Sequence, residues 1–200
     1  MPTNLKLNLR KLQHLAGHAL QNGIALHFDS VLLYKNRSYG TAHFISVLAM
    51  EEIGKAFAAD HFAWSETTDG RSDSEFEHQW VAWLLGDHKG KQLSFLRQRV
   101  SISPDSYYDV LYGHLEARKQ NSIYVGLSKP AKNRPRTDGR LIIPKKVTRA
   151  LARTQLSIIH DLLIDQVNGI QHGSIDHDLA IFNRILTPPL ARRLVNMSPR

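Results

Sequence analysis

The sequence predicts an all-α helical bundle, and three observations carry that prediction. Apolar residues recur at spacings of three and four through most of the chain. Helix-start signals sit where those periodic stretches begin, as at Ser74-x-x-Glu77 and Ser103-Pro104. No strand-rich region and no internal repeat interrupts the pattern. The 200 residues and 22.7 kDa suit one domain over residues 1–200, and 42% hydrophobic with 22% charged residues is a globular balance.

Taken in order, Leu5 to about Tyr34 reads as a first helix weakened at Gly17 and Gly23, and Asn36–Gly40 as a turn. Thr41 to about Trp64 is apolar almost all round, which places a second helix in the middle of the bundle. After the Thr67–Ser74 turn, the capping box opens a third helix to about Val100. Ser103-Pro104 starts a fourth helix to about Gln120, and Ile123–Leu127 is extended. An irregular loop covers about 128–144. Pro144 then opens a long helix to about Ile170, with Val147, Leu151, Ile158 and Leu162 as one stripe. A C-terminal helical extension, about 175–200, is capped at Asp176 and stopped or kinked by Pro188-Pro189.

Charge is concentrated. Between Lys129 and Arg149 stand eight basic residues, Lys129, Lys132, Arg134, Arg136, Arg140, Lys145, Lys146 and Arg149, against Asp138 alone. That stretch holds seven of the chain's net +8 charges. Pro130, Pro135, Gly139 and Pro144 keep it irregular, so the expectation is a basic loop able to grip phosphates or an acidic protein partner. A solvated surface loop is the plainer alternative.

Other classes are excluded by what is missing. Zero cysteines rule out disulfides, thiolate metal sites and a cysteine nucleophile. No apolar run approaches the ~18–20 residues of a membrane span, and the first residues, MPTNLKLNLRKLQHLAG, lack the apolar core of an export signal. A cytoplasmic protein is expected. Nucleotide-binding glycine loops and the G-x-S-x-G elbow are absent. His14 with His18, and Glu75-x-x-His78, have metal-ligand spacing, but a di-iron bundle needs that second motif twice, so no metal and no cofactor is expected. The basic residues have no row of aromatics among them, which argues against a stacking platform for single strands. Eleven histidines allow pH sensitivity without locating it.

Polar residues in apolar faces mark a candidate site. At 100° per residue, Ala42, Ile45, Ala49, Ala56 and Ala63 form a stripe with Glu52 at its centre, so Glu52 is expected to face a neighbouring helix and to need a partner. Glu51 and Lys55 are expected to pair on the flank. On the third helix the stripe of Phe76, Trp80 and Trp83 continues through Asp87, with His88 and Lys91 beside it. An antiparallel approach brings Glu52, Asp87, His88 and Lys91 together, either as a general acid–base site or as a network that sets helix register.

Three ordered blocks resemble the signature of the AbiV abortive-infection family of the HEPN superfamily. They are Ser38–Ala42 leading into Ala49-Met50-Glu51-Glu52-Ile53-Gly54-Lys55, then Asp87-His88-Lys89-Gly90-Lys91, then Arg118 followed by Tyr124-Val125. The likeness spans roughly residues 10–165. It implies a HEPN-like bundle, an intracellular antiphage role that shuts down host macromolecular synthesis, a homodimer, a possible phage-encoded activator and RNA or the translation machinery as target. HEPN ribonucleases are metal-independent and use an R-x4–6-H motif, in which Arg stabilises the phosphate and His moves the 2′-OH proton. Arg37–His43, Arg71–His78 and Arg153–His160 fit that spacing, as many as 15 Arg and 11 His give by chance. Arg153–His160 on the late helix has the family's placement. Arg118-x5-Tyr124 puts Tyr where His would stand, and tyrosine is a poor proton shuttle near neutral pH. Catalysis is therefore assigned among Glu52, Asp87, His88, Lys91, Arg118, Tyr124, Arg153 and His160, with a non-catalytic module acting through the basic loop as the alternative.

Overall fold

The computed structural model describes residues 9–68, 81, 83, 86–98, 103–127, 141–144, 147–171 and 184–199. Among these stand seven helices: α1 (Leu9–Lys35), α2 (Tyr39–Thr68), α3 (His88–Leu96), α4 (Pro104–Leu111), α5 (His114–Asn121), α6 (Arg149–Gln171) and α7 (Pro188–Asn196). Two-residue strands β1 (Gly126–Leu127) and β2 (Leu141–Ile142) pair antiparallel. The fold is an all-α helical bundle.

Helices α1 and α2 form an antiparallel hairpin around Asn36–Ser38, where Arg37 takes a left-handed φ of 61°. Close approach is possible because Gly23 has no side chain: a Cβ there would lie 2.6 Å from Ile53 Cγ1. The alanine stripe faces this contact, with the Ala49 carbonyl 3.2 Å from the same point. As its all-round apolar character predicts, α2 is central, touching α1, α3, α5 and α6. Leu20, Val47, Ile53, Phe57, Phe95 and Leu162 share one buried cluster.

Three boundaries differ from the periodicity reading. The expected third helix is broken at Asp87, which is extended (φ −86°, ψ 125°) and caps α3 by accepting from the Gly90 N–H at 2.6 Å. The expected fourth helix is divided at Gly113, whose φ of 74° in the left-handed region separates α4 from α5. Helix α6 begins at Arg149 rather than Pro144, with the Thr148 hydroxyl accepting from the Leu151 N–H at 3.2 Å. The chain is helical at 184–185 and leaves the helix at Leu186 and Thr187, so a break falls at Pro188-Pro189 as expected. The pair also occupies the first turn of a further helix, α7, after Thr187, where missing N–H groups cost nothing.

Phe76, Trp80, Arg71, His78, Asp176 and the basic residues Lys129, Lys132, Arg134, Arg136, Arg140, Lys145 and Lys146 lie outside the described residues. The β1–β2 ladder brackets residues 128–140, with Lys145 and Lys146 following β2. Among the described residues, no helix is long and apolar enough to cross a membrane.

Candidate functional site

The two glutamates of the second helix have exchanged the roles expected of them. Glu51, not Glu52, is the buried one, at 3% exposure. Glu52 lies at the edge of the α1 contact, pairing with Lys55 and accepting from Asn22 Nδ2 at 3.2 Å. The expected Glu51–Lys55 flank pair is thus a Glu52–Lys55 pair. The reason is the second neighbour of α2. Glu51 and Gly54 are three apart, share one face, and that face meets α3. A Cβ on Gly54 would stand 1.9 Å from the Lys91 carbonyl oxygen, so only glycine admits α3 at this depth.

Around Glu51 the structure assembles a polar cluster, in which Gln92 Oε1 alone of that glutamine's side-chain polar atoms is left without a partner. Its Oε1 accepts from Gln92 Nε2 at 2.8 Å and from Lys119 Nζ at 2.9 Å. Its Oε2 lies 2.8 Å from His88 Nδ1. Lys119, 2% exposed, also reaches Glu116 Oε2 at 2.7 Å and stands 3.5 Å from His88 Nδ1. Burial raises the Glu116 carboxyl, but the hydrogen bonds from Lys119 and Gln120 outweigh it and hold it below the usual carboxylate range. An isolated buried charge would cost several kcal/mol (roughly, and less when paired), which is why each one here is matched.

A carboxylate only accepts, so the geometry assigns the proton of neutral His88 to Nδ1 and leaves Nε2 with its lone pair. The His88 side chain is 54% exposed, so a half-open imidazole is backed by a buried carboxylate. That arrangement suits a general acid–base. Glu51, His88 and Glu116 present ligand atoms within 4.8 Å of one another, as a metal site would. The Lys119 ammonium already stands within hydrogen-bonding or near range of all three, so the place of a cation is taken by a side chain.

The other expected residues are dispersed. Asp87 is a helix cap and Lys91 joins none of these hydrogen bonds, though its stem is buried. Arg118, next to Lys119 on α5, forms an ion pair with Asp109. Tyr124 lies beyond the end of α5, 58% exposed. The structure does not unite Arg153 and His160. Arg153 is exposed, whereas His160 is buried with its Nδ1 3.3 Å from His27 Nε2. Burial and then the neighbouring His160 lower His27 to about 3.

His43, the second member of Arg37–His43, is also interior. Its Nδ1 lies 3.0 Å from the Ser122 hydroxyl, which donates to the Arg118 carbonyl at 2.6 Å. Burial and then the Arg118 charge lower His43 to about 4, so it is neutral at physiological pH. His43, Asp109 and Arg118 line a cavity of about 70 Å³, room for a few waters and not for a nucleotide. Gly40 brings the start of α2 against the same region, since a Cβ there would meet the Ser122 carbonyl at 2.6 Å.

Lys119, Gln92 and Glu116 were not among the expected site residues. Glu116-x-x-Lys119 beside Arg118 is the one local signal that could have found them. All three ordered blocks nevertheless serve this region: the first supplies Glu51 and Gly54, the second His88, and the third begins beside Lys119.

No curated protein and no solved structure matches the chain significantly. A family model described as AbiV matches residues 11–164, about three quarters of the length and all of the polar centre. The chain therefore belongs to the AbiV family of HEPN proteins, a family of abortive infection and phage defence.

Proposed function

We propose that this defence protein acts on RNA, halting translation in the infected cell, and that His88 is its general acid–base. The observation that carries the reading is the half-exposed His88 imidazole held at 2.8 Å by the buried Glu51 carboxylate. In the step envisaged, His88 Nε2 takes the proton of a ribose 2′-OH. The freed oxygen attacks the adjacent phosphorus and the bond to the 5′-oxygen breaks, leaving a 2′,3′-cyclic phosphate. The proton held on His88 passes to the departing 5′-oxygen, so atoms and charge balance. Glu51 steadies the imidazolium between these transfers, and Lys119 holds Glu51 in place. The exposed Lys89 ammonium, next to His88 in sequence, supplies positive charge for the phosphate. A homodimer and a phage-encoded activator belong to this proposal as partners.

The test is incubation of the purified chain with total RNA and tRNA in EDTA, beside His88→Ala. Cleavage by the unaltered chain alone, ending in cyclic phosphate, is the expected result. Equal cleavage by both proteins would overturn it. The second reading, a binding module, is favoured by the near-complete burial and pairing of Glu51 and Lys119, as in a network that sets helix register. On that reading neither protein cleaves, and neutralising Arg134, Arg136 and Arg140 weakens RNA retention with a shallower salt dependence.

A further inference from the structure

The turn between α4 and α5 carries a row of exposed rings. Tyr108 and Tyr112 are four residues apart, so one helical turn sets their rings nearly parallel, 18° between planes with centroids 6.0 Å apart. The left-handed Gly113 then swings the chain so that the His114 ring lies 6.0 Å from Tyr112 at 37°. Tyr108 is 53% and Tyr112 69% exposed, and the His114 side chain 65%. A row therefore exists, built by one helical turn and one glycine rather than by a run of neighbouring aromatics.

Its position matters as much as its exposure. Lys89 Nζ lies 3.5 Å from the Leu111 carbonyl, and its Cε and Nζ would stand 3.3 and 3.4 Å from a Cβ on Gly113. The lysine thus rests on the very turn that carries the rings, while its neighbour His88 faces Glu51. On the other side, Asp109 reaches His114 Nδ1 at 3.5 Å and pairs with Arg118, fixing the end of the row. Lys89 thus reaches the turn that bears the rings, while the residue before it in sequence is the acid–base His88.

We propose that the Tyr108–Tyr112–His114 row is the base-stacking subsite for an unpaired nucleotide, with Lys89 meeting the phosphate between that base and the bond at His88. This rests on the RNA reading of the His88 site. Parallel aromatic faces suit a nucleobase, an adjacent ammonium suits its phosphate, and stacking accepts any base. In a duplex both base faces are already covered, so the row selects single strands.

The test is fluorescence anisotropy of a labelled 12-nucleotide oligouridine and of a 12-base-pair RNA duplex, using the full chain, Tyr112→Ala, Tyr112→Trp and Lys89→Ala. Tyr112→Ala should weaken oligouridine binding about tenfold or more, leave duplex binding unchanged and keep the salt slope. Tyr112→Trp should restore affinity. Lys89→Ala should lower the salt slope by about 1. Unchanged oligouridine affinity in Tyr112→Ala overturns the proposal. So does a fall in molecular mass by light scattering with RNA affinity retained, which would assign the row to contact between copies of the chain. Tyr112→Ala behaving as the unaltered chain while His88→Ala abolishes cleavage would sink the subsite and spare the function. Loss of oligouridine binding in Tyr112→Ala without any role for His88 in cleavage would do the reverse.

Discussion

Gly54→Ala is the sharpest test of how the family signature builds the site. The added Cβ would stand 1.9 Å from the Lys91 carbonyl oxygen, 2.8 Å from its carbon and 3.1 Å from Phe95 N. Ordinary carbon–oxygen contact requires about 3.3 Å, so α2 and α3 must part by roughly 1.4 Å at this point. Backbone meets backbone here, and no side chain can swing aside. Overpacking of a core costs about 1–3 kcal/mol, and a clash this deep belongs at the upper end. The same separation would stretch the Gln92–Glu51 hydrogen bond from 2.8 Å to beyond hydrogen-bonding range and carry His88 away from Glu51. Urea titration monitored by circular dichroism should show a lower midpoint at unchanged slope, with about 3 kcal/mol lost. If RNA cleavage is confirmed, it should fall with it. A variant within about 0.5 kcal/mol of the parent would refute the claim that the glycine exists to admit α3.

Three further perturbations separate roles that look alike on paper. Glu51→Gln leaves Lys119 with Glu116 alone and should cost about 3 kcal/mol in urea titration, whereas Glu52→Gln, at a part-buried pair, should cost about 1 kcal/mol or less; the reverse order would undo the assignment. Acid should destabilise the fold through His27 and His43, lowered to about 3 and about 4. Because their folded pKa values lie below the unfolded value, the unfolded chain gains protons first as pH falls through about 6.5. Each then removes up to about 2 kcal/mol between pH 7 and pH 5, and equal urea midpoints at the two pH values would contradict this. Asp87→Ala should lose about 1 kcal/mol through its cap and Asp87→Ser should recover most of it, whereas a catalytic carboxylate would not be rescued by serine.

The sequence was legible where local physics decides. Periodicity gave the long helices and the central place of α2, whereas Gly23 read only as a weak point and the structure shows that it and Gly54 admit neighbouring helices. The sequence misled where one residue carries two local meanings. Asp87 continues an apolar stripe on a helical wheel, but it also competes for backbone N–H groups, and capping won. Proline at 188 follows the break expected there, but with Thr187 before it the same residue also opens a new helix. The chance number of Arg–His spacings could not distinguish an exposed pair from His160, which packs inside against His27.

By itself, then, the sequence determined the class of fold, the absence of thiol chemistry and the blocks that mark the family, because each depends on residue type and on spacing along one chain. Only the tertiary structure decided which glutamate is buried, which lysine completes the charge set and which rings line up. Glu51 and Lys119 lie 68 residues apart, and His88 stands 37 from Glu51. Adjacent positions on a helix point 100° apart. Which of two neighbouring glutamates is buried therefore depends on which faces of α2 other helices cover, and helical periodicity alone does not say.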